Sequence, residues 1–189
     1  MNFEQDIVNS LAALRTGGTI LYPTDTIWGI GCDATDPTAV AKVFGLKNRD
    51  EKKSLVILLA DVRELLKYVA HTPPDIAEIL EAFDRPTTVI YQGALGLAGN
   101  VINEDGSVAI RIVKEDFCRH LVKRWRKPLV STSANISGDP SPANFGEVTP
   151  AIINGVDYAV QYRRDDLSRA QASRIVRLLP SGEMEVIRP

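Results

Sequence analysis

A mixed α/β fold in one domain is what this sequence predicts, and three observations predict it. Segments with strand character alternate along the chain with segments of helical spacing, the signature of an α/β architecture. Both continuous apolar runs and alternating ones occur among the strands, so a mixed sheet is expected rather than a purely parallel one. The chain has 189 residues with no internal repeat. That is one domain's worth, and enough to bury a real core.

Each element follows from local signals. Phe3, Ile7, Leu11 and Leu14 recur at helical spacing, and Gly17-Gly18 ends that helix. TILYP is a strand stopped by Pro23. Asp36 and Pro37 supply an N-cap and first position for a helix through about Phe44. Ser54 to Ala60 is a continuous apolar strand. Asp61 caps a helix through about Val69, and Pro73-Pro74 opens another to about Phe83. Thr87 to Tyr91 and Ser107 to Ile112 are strands joined by a glycine-rich connection. Glu115 to Arg126 is a helix. After Pro128, a short strand at Leu129-Val130 stops at Ser131. Beyond Gly138 a loop carries Pro140, Pro142 and Gly146. A short helix is expected over Glu147–Ile153 and a short strand over Tyr158–Gln161. Ser173–Leu179 and Glu185–Ile187 form a closing hairpin.

Bulk composition excludes several classes. A net charge of −2 and a pI near 5.7 argue against a generally basic nucleic-acid binder but leave room for a local basic site. Cys32 and Cys118 make neither a disulfide framework nor a metal signature, and two free thiols are expected. No apolar run approaches the roughly 20 residues of a membrane helix. The opening MNFEQDIVNSL lacks a basic and an apolar leader region. The expectation is a cytoplasmic protein without membrane contact, a monomer or a weak dimer.

Three stretches carry chemistry. In STSANIS, from Ser131 to Ser137, five side chains can hydrogen-bond within seven positions, where a turn needs one or two. In LKNRDEKKSLVILL, Lys47 and Arg49 alternate across Asn48. On an extended backbone they would share a face and could neutralise a triphosphate or a carboxylate. Lys52 and Lys53 extend the basic character. A solvated charge run is the bland alternative. In YPTDTIWGIGCDA, Thr24 and Thr26 precede Gly29 and Gly31, which permit close backbone approach or positive φ. Here the bland account is a turn between two strands with Trp28 filling the core. Arg111, flanked by apolar residues on a strand, calls for a phosphate or a carboxylate partner. Ser173 and Arg174 are similarly placed. There is no Walker A motif, GxGxxG fingerprint or nucleophile elbow. His71 and His120 have no partner at metal spacing.

Taken together, YPTDTIWGIGCDA, KNR with KKSL, PTTVI, AIRI, STSANISG and ASRIV resemble the YrdC/Sua5 family, in its single-domain TsaC-type form. They run in family order from residue 22 to 176. The family's KxR and SxN elements fall on Lys47, Arg49, Ser133 and Asn135. The resemblance implies a single YrdC-like domain over residues 1–189: a twisted mixed open sheet flanked by helices, with a positively charged concave site. It also implies that the extra C-terminal domain of the longer Sua5 type is absent. The chain departs from the family pattern at Ser54, where a proline is common, at Val113, where another proline is common, and at Arg174, where a small hydroxyl residue is common.

The activity implied is that of an L-threonylcarbamoyladenylate synthase, a nucleotidyltransferase. L-Threonine and bicarbonate give a carbamate whose carboxylate attacks the α-phosphorus of ATP, releasing pyrophosphate. The adenylate then serves a partner transferase that modifies adenosine 37 of tRNA. Catalytic roles would fall on Lys47, Arg49, Ser133 and Asn135. Threonine and bicarbonate would meet Thr24, Thr26, Lys47 and Ser131. The nucleotide would meet Arg49, Lys53, Arg111, Ser133, Asn135 and Ser173. Mg²⁺ would arrive with ATP rather than on protein side chains, and tRNA is a further expected contact. The alternative from another class is an RNA-binding module of the same fold that makes no adenylate. A third reading is ATP-dependent carbamoylation of a different amine.

Overall fold

The structure, a computed structural model, describes residues 3–50, 54–179 and 181–189. Lys52 and Lys53 lie outside the described residues. A nine-stranded mixed sheet organises the rest. In chain order the elements are α1 (Glu4–Arg15), β1 (Ile20–Tyr22), β2 (Gly29–Gly31), α2 (Pro37–Leu46), β3 (Val56–Leu59), α3 (Ile76–Glu81), β4 (Thr87–Tyr91), β5 (Val108–Ile112), α4 (Asp116–Trp125), β6 (Leu129–Ser133), α5 (Pro150–Gly155), β7 (Tyr158–Ala159), β8 (Arg174–Leu178) and β9 (Met184–Arg188). The strands lie in the order β7-β1-β2-β6-β3-β5-β4-β8-β9. Parallel pairs (β1/β7, β3/β5, β4/β8) are interspersed with antiparallel ones. α1 and α4 pack on each other, α1 also on β1 and α4 on β3. Their buried faces (Ile7, Leu11, Leu14; Phe117, Leu121, Val122) join the strand interiors in one core.

Local chemistry sets most boundaries. The Asp36 carboxylate accepts from the Thr38 and Ala39 N–H groups at 2.8 and 3.3 Å, capping α2 at Pro37. Asp61 also caps, accepting from Arg63 N–H at 2.9 Å. What it starts is a 3₁₀ helix over Val62–Lys67 rather than the α-helix expected. Only Leu65 of that segment is buried and Leu66 is exposed. With no apolar stripe to bury, a short i→i+3 turn suffices. The helix expected over Glu147–Ile153 begins instead at Pro150, after a 3₁₀ turn at Phe145–Glu147.

One correction bears on function. β6 does not stop at Ser131 but runs to Ser133, because β2 pairs with it: Gly29 opposite Ser133 and Ile30 opposite Thr132. Three hydroxyl residues therefore belong to the sheet itself. Close approach, not positive φ, is what β2's glycines supply. A Cβ at Gly31 would lie 2.5 Å from the Val130 carbonyl and 2.7 Å from the Tyr22 ring. The Tyr22 hydroxyl donates to that same carbonyl at 3.1 Å.

Candidate active site

The residues after α2 do not form an extended segment. Asn48 takes a left-handed φ of 47°. Its N–H donates to Gly45 O at 3.1 Å, and the Arg49 N–H reaches back to Phe44 O at 3.0 Å. This is a Schellman turn with asparagine in the glycine position. The expectation that Lys47 and Arg49 share a face is thereby corrected: the turn sends them different ways. Lys47 is fully buried. Its ammonium donates to the carbonyl of Ser133 and to that of Asn135, the latter at 2.6 Å, while its own carbonyl accepts from Ser137 N–H at 2.7 Å. Lys47 thus pins the STSANIS loop. Burial, reinforced by the nearby Arg49 charge, pushes its pKa down to about 8.

Arg49 turns instead into a cavity of about 260 Å³, donating to Ser54 O at 2.9 Å on the way. Burial lowers its pKa. The same cavity is lined by Thr26, Arg111, Ser131, Ser133 and Ser173, so six of the residues expected at a site come together there. Arg111 forms the floor. It is 5% exposed, with Nη2 3.2 Å from the Asp25 carboxylate. The Ser173 hydroxyl shares a hydrogen bond of 2.8 Å with Thr88.

Three of the expected residues do not line this cavity. Thr24 is buried beside the cavity, its hydroxyl donating to Ile27 O at 2.8 Å and accepting from Thr26 N–H at 3.0 Å. It shapes the turn that presents Thr26. Lys47 stands behind the wall. Asn135 uses its amide N–H groups on the Ile136 and Asp139 carbonyls at 2.9 and 2.7 Å. It closes the loop and does not line the cavity, although its Oδ1 is buried without a partner. Lys53 lies outside the described residues.

Sequence reasoning missed Arg188, Thr132 and Ser141, which also line the cavity. Thr132 sat in the hydroxyl cluster that drew attention, and Ser141 in the loop beyond Gly138. Arg188 gave no usable signal. It reaches the site because β9 sets it opposite Ile175, and it donates two hydrogen bonds to Ser173 O at 2.6 and 3.1 Å. Burial and the neighbouring Arg111 charge lower its pKa. Trp28, expected at most as core filler, is buried and also forms a wall. Its ring centroid lies 4.8 Å from Phe145, over which Arg164 sits at 4.4 Å.

The Sua5/YciO/YrdC family, described as telomere recombination, matches residues 12–189. The chain belongs to this family. It is 32% identical to the threonylcarbamoyl-AMP synthase of Stenotrophomonas maltophilia over 157 residues, 82% of this chain and 84% of that protein. It is 31% identical to that of Vibrio parahaemolyticus over 186 residues, 93% and 98% of the two. Among solved structures, P. abyssi Sua5 in its H234A/Y235A form superposes with a TM-score of 0.87 at 23% identity. The match covers all of this chain and 57% of that one, so the chain spans little over half of that protein. E. coli YciO superposes at 0.79 with 18% identity, covering 98% and 91% of the two chains. These likenesses carry the fold: the mixed sheet with flanking helices is that of Sua5 and YciO.

The three departures from the family pattern have different local meanings. Ser54 does border the cavity, its hydroxyl donating to Asn103 Oδ1 at 2.6 Å. Val113 uses its N–H to bond Leu59 O at 3.0 Å, a bond proline lacks. Arg174, grouped with Ser173 in the sequence reading, points to the opposite face. It donates to Thr87 Oγ1 at 3.2 Å, pairs with Asp84 at 3.6 Å and covers the Phe83 ring at 5.0 Å. Strand alternation separates it from Ser173 and Ile175, which line the cavity.

Proposed function

We propose that this protein is a threonylcarbamoyl-AMP synthase, joining ATP, L-threonine and bicarbonate and releasing pyrophosphate. One observation carries the reading. Three guanidinium groups, from Arg49, Arg111 and Arg188, meet hydroxyls of Ser131, Thr132 and Ser133 in a single cavity, in a chain whose relatives bear that enzyme's name over most of their length.

The depth of the cations suggests their division of labour. Arg188 is exposed at the rim and Arg49 half-buried, so a triphosphate entering from solvent meets these two first. Arg111 at the floor suits a smaller anion, the amino acid's α-carboxylate. P. abyssi Sua5, a structural neighbour, has been solved with L-threonine, and HypF, another, in a phosphate- and nucleotide-bound form. Thr26 and Ser173 would hydrogen-bond the amino acid, and the β6 hydroxyls the phosphate or carbamate oxygens. Catalysis would consist of holding the carbamate carboxylate in line with the α-phosphorus while fixed cations offset developing charge. Lys47 would act from behind, by fixing the loop after β6.

Among the described residues no cluster of His, Cys, Asp and Glu could hold a metal ion. The cavity's own donors are cationic and hydroxyl groups, which fits Mg²⁺ carried in on the triphosphate. Its chemistry there would be to shield phosphate charge. Transfer of the threonylcarbamoyl group to tRNA by a partner transferase, in the cytoplasm, completes the proposal. Mass detection of threonylcarbamoyl-AMP after incubation with ATP, threonine and bicarbonate tests it. Pyrophosphate release independent of threonine or of bicarbonate would refute it.

A further inference from the structure

Asp25 is a largely enclosed carboxylate that the chemistry above leaves unused. It sits between Thr24 and Thr26 in the turn from β1 to β2, yet does not line the cavity. It borders a smaller space of about 180 Å³ with Thr87 and Ile112, on the opposite face of the sheet. Its side chain is 10% exposed, and Oδ1 lies 3.2 Å from Arg111 Nη2 but makes no hydrogen bond. The turn that carries it is tied on both sides. The Cys118 thiol donates to Pro23 O at 3.2 Å, Arg163 donates to Thr24 O at 3.3 Å, and Thr26 N–H donates to the Thr24 hydroxyl. The backbone on either side of Asp25 is therefore held in place, with the carboxylate set behind a cation.

Arg111 needs such a charge. Its Nε has no hydrogen-bond partner, and the Arg188 guanidinium lies near enough to feel the Arg111 charge. Asp25 is the one ion-pair partner of either among the described residues. Without it, Arg111 would be an unpaired buried cation beside another cation, free to swing from its place on the cavity floor.

We propose that Asp25 is a positioning residue that holds the Arg111 guanidinium toward the substrate's α-carboxylate, setting affinity for the amino acid without touching either substrate. The inference rests on the synthase reading. Pyrophosphate release tests it, with threonine and ATP varied separately at saturating bicarbonate, in wild type, D25N, D25E, R111M and the D25N/R111M pair. D25N is expected to raise the threonine KM about 10- to 100-fold, the worth of one charge-assisted contact, with the ATP KM within about threefold of wild type. D25E should recover most of the loss. L-Threoninol, which lacks the carboxylate, should compete with threonine more effectively in D25N than in wild type. The pair buries no lone charge, so it remains informative where D25N does not fold. Its threonine KM should equal that of R111M, since Asp25 acts only through Arg111. An unchanged threonine KM in folded D25N, an ATP KM rising in step, or a further loss in the pair relative to R111M would each overturn the inference. A wild-type protein inactive with threonine and bicarbonate would instead overturn the synthase reading, and this inference with it.

Discussion

The turn after α2 and the hairpin of β8 and β9 deliver arginine to one cavity by different geometry. In the turn, two cations one residue apart diverge, because Asn48 is left-handed: Lys47 goes into the core and Arg49 into the cavity. In the hairpin, regular alternation decides. Ser173 and Ile175 face the cavity, Arg174 faces away, and the antiparallel partner strand brings Arg188 back to the cavity side. Cationic side chains close in sequence thus reach different surroundings through backbone conformation. The contrast extends to the second, larger cavity of about 590 Å³, lined by residues such as Pro73, Pro74, Leu178 and Leu179. It holds no arginine or lysine among its lining residues, so charge rather than volume marks the site.

Substitutions can break this comparison. The largest effect is expected at Arg49: Arg49→Ala should lower kcat/KM about 10²- to 10³-fold, as loss of one preorganised charge-stabilising donor does, with thermal unfolding unchanged. Lys47→Met should follow. It leaves two carbonyls without their buried donor, costing about 1–3 kcal/mol, and the loosened loop should slow pyrophosphate release about 10- to 100-fold. Its pH behaviour separates bracing from unfolding. The ammonium's hydrogen bonds weaken as pH rises through about 8, so activity should fall there, and Lys47→Arg should move that limb upward. Between about 8 and the ordinary lysine value of 10.5, the unfolded chain binds the extra proton. This group's contribution to stability therefore rises with pH in that window, and a fall in activity there is not its unfolding.

Arg188→Ala should raise the ATP KM about tenfold, by loss of one charged contact at the exposed rim. Asn48→Val should cost about 1–2 kcal/mol, because a β-branched residue resists left-handed φ, whereas Asn48→Gly should be tolerated; denaturant midpoints will tell them apart. The smallest effect is expected from Arg174→Ser, which restores the residue common in the family: kcat and both KM values should stay within about twofold. A tenfold change would mean that the two faces of β8 are coupled.

Much of this was legible in the sequence, unevenly. Helices α1, α2 and α4 and strands β3, β4 and β5 follow from periodicity, caps and apolar runs, all of which act within a few residues. Arg111, on β5, and Ser173, just before β8, were identified because a charge or hydroxyl beside apolar strand residues stands out. The KNR segment was misjudged in geometry because nothing marked Asn48 as the left-handed position that glycine usually takes. β6 was cut short because its last pairs depend on β2, about a hundred residues earlier.

By itself, the sequence determined the mixed α/β class, most element boundaries and the cationic and hydroxyl-bearing segments that supply the cavity, since caps, strand patterns and hydroxyl clusters express themselves locally. Only the tertiary structure decided that Lys47 bonds the loop after β6 while Arg49 and Arg188 line the cavity, that Arg174 lies on the far face, and that Asp25 stands behind Arg111. Those outcomes depend on strand register and on a single left-handed residue, which are settled by partners distant in the chain and by whichever side chains find a hydrogen-bond acceptor once buried.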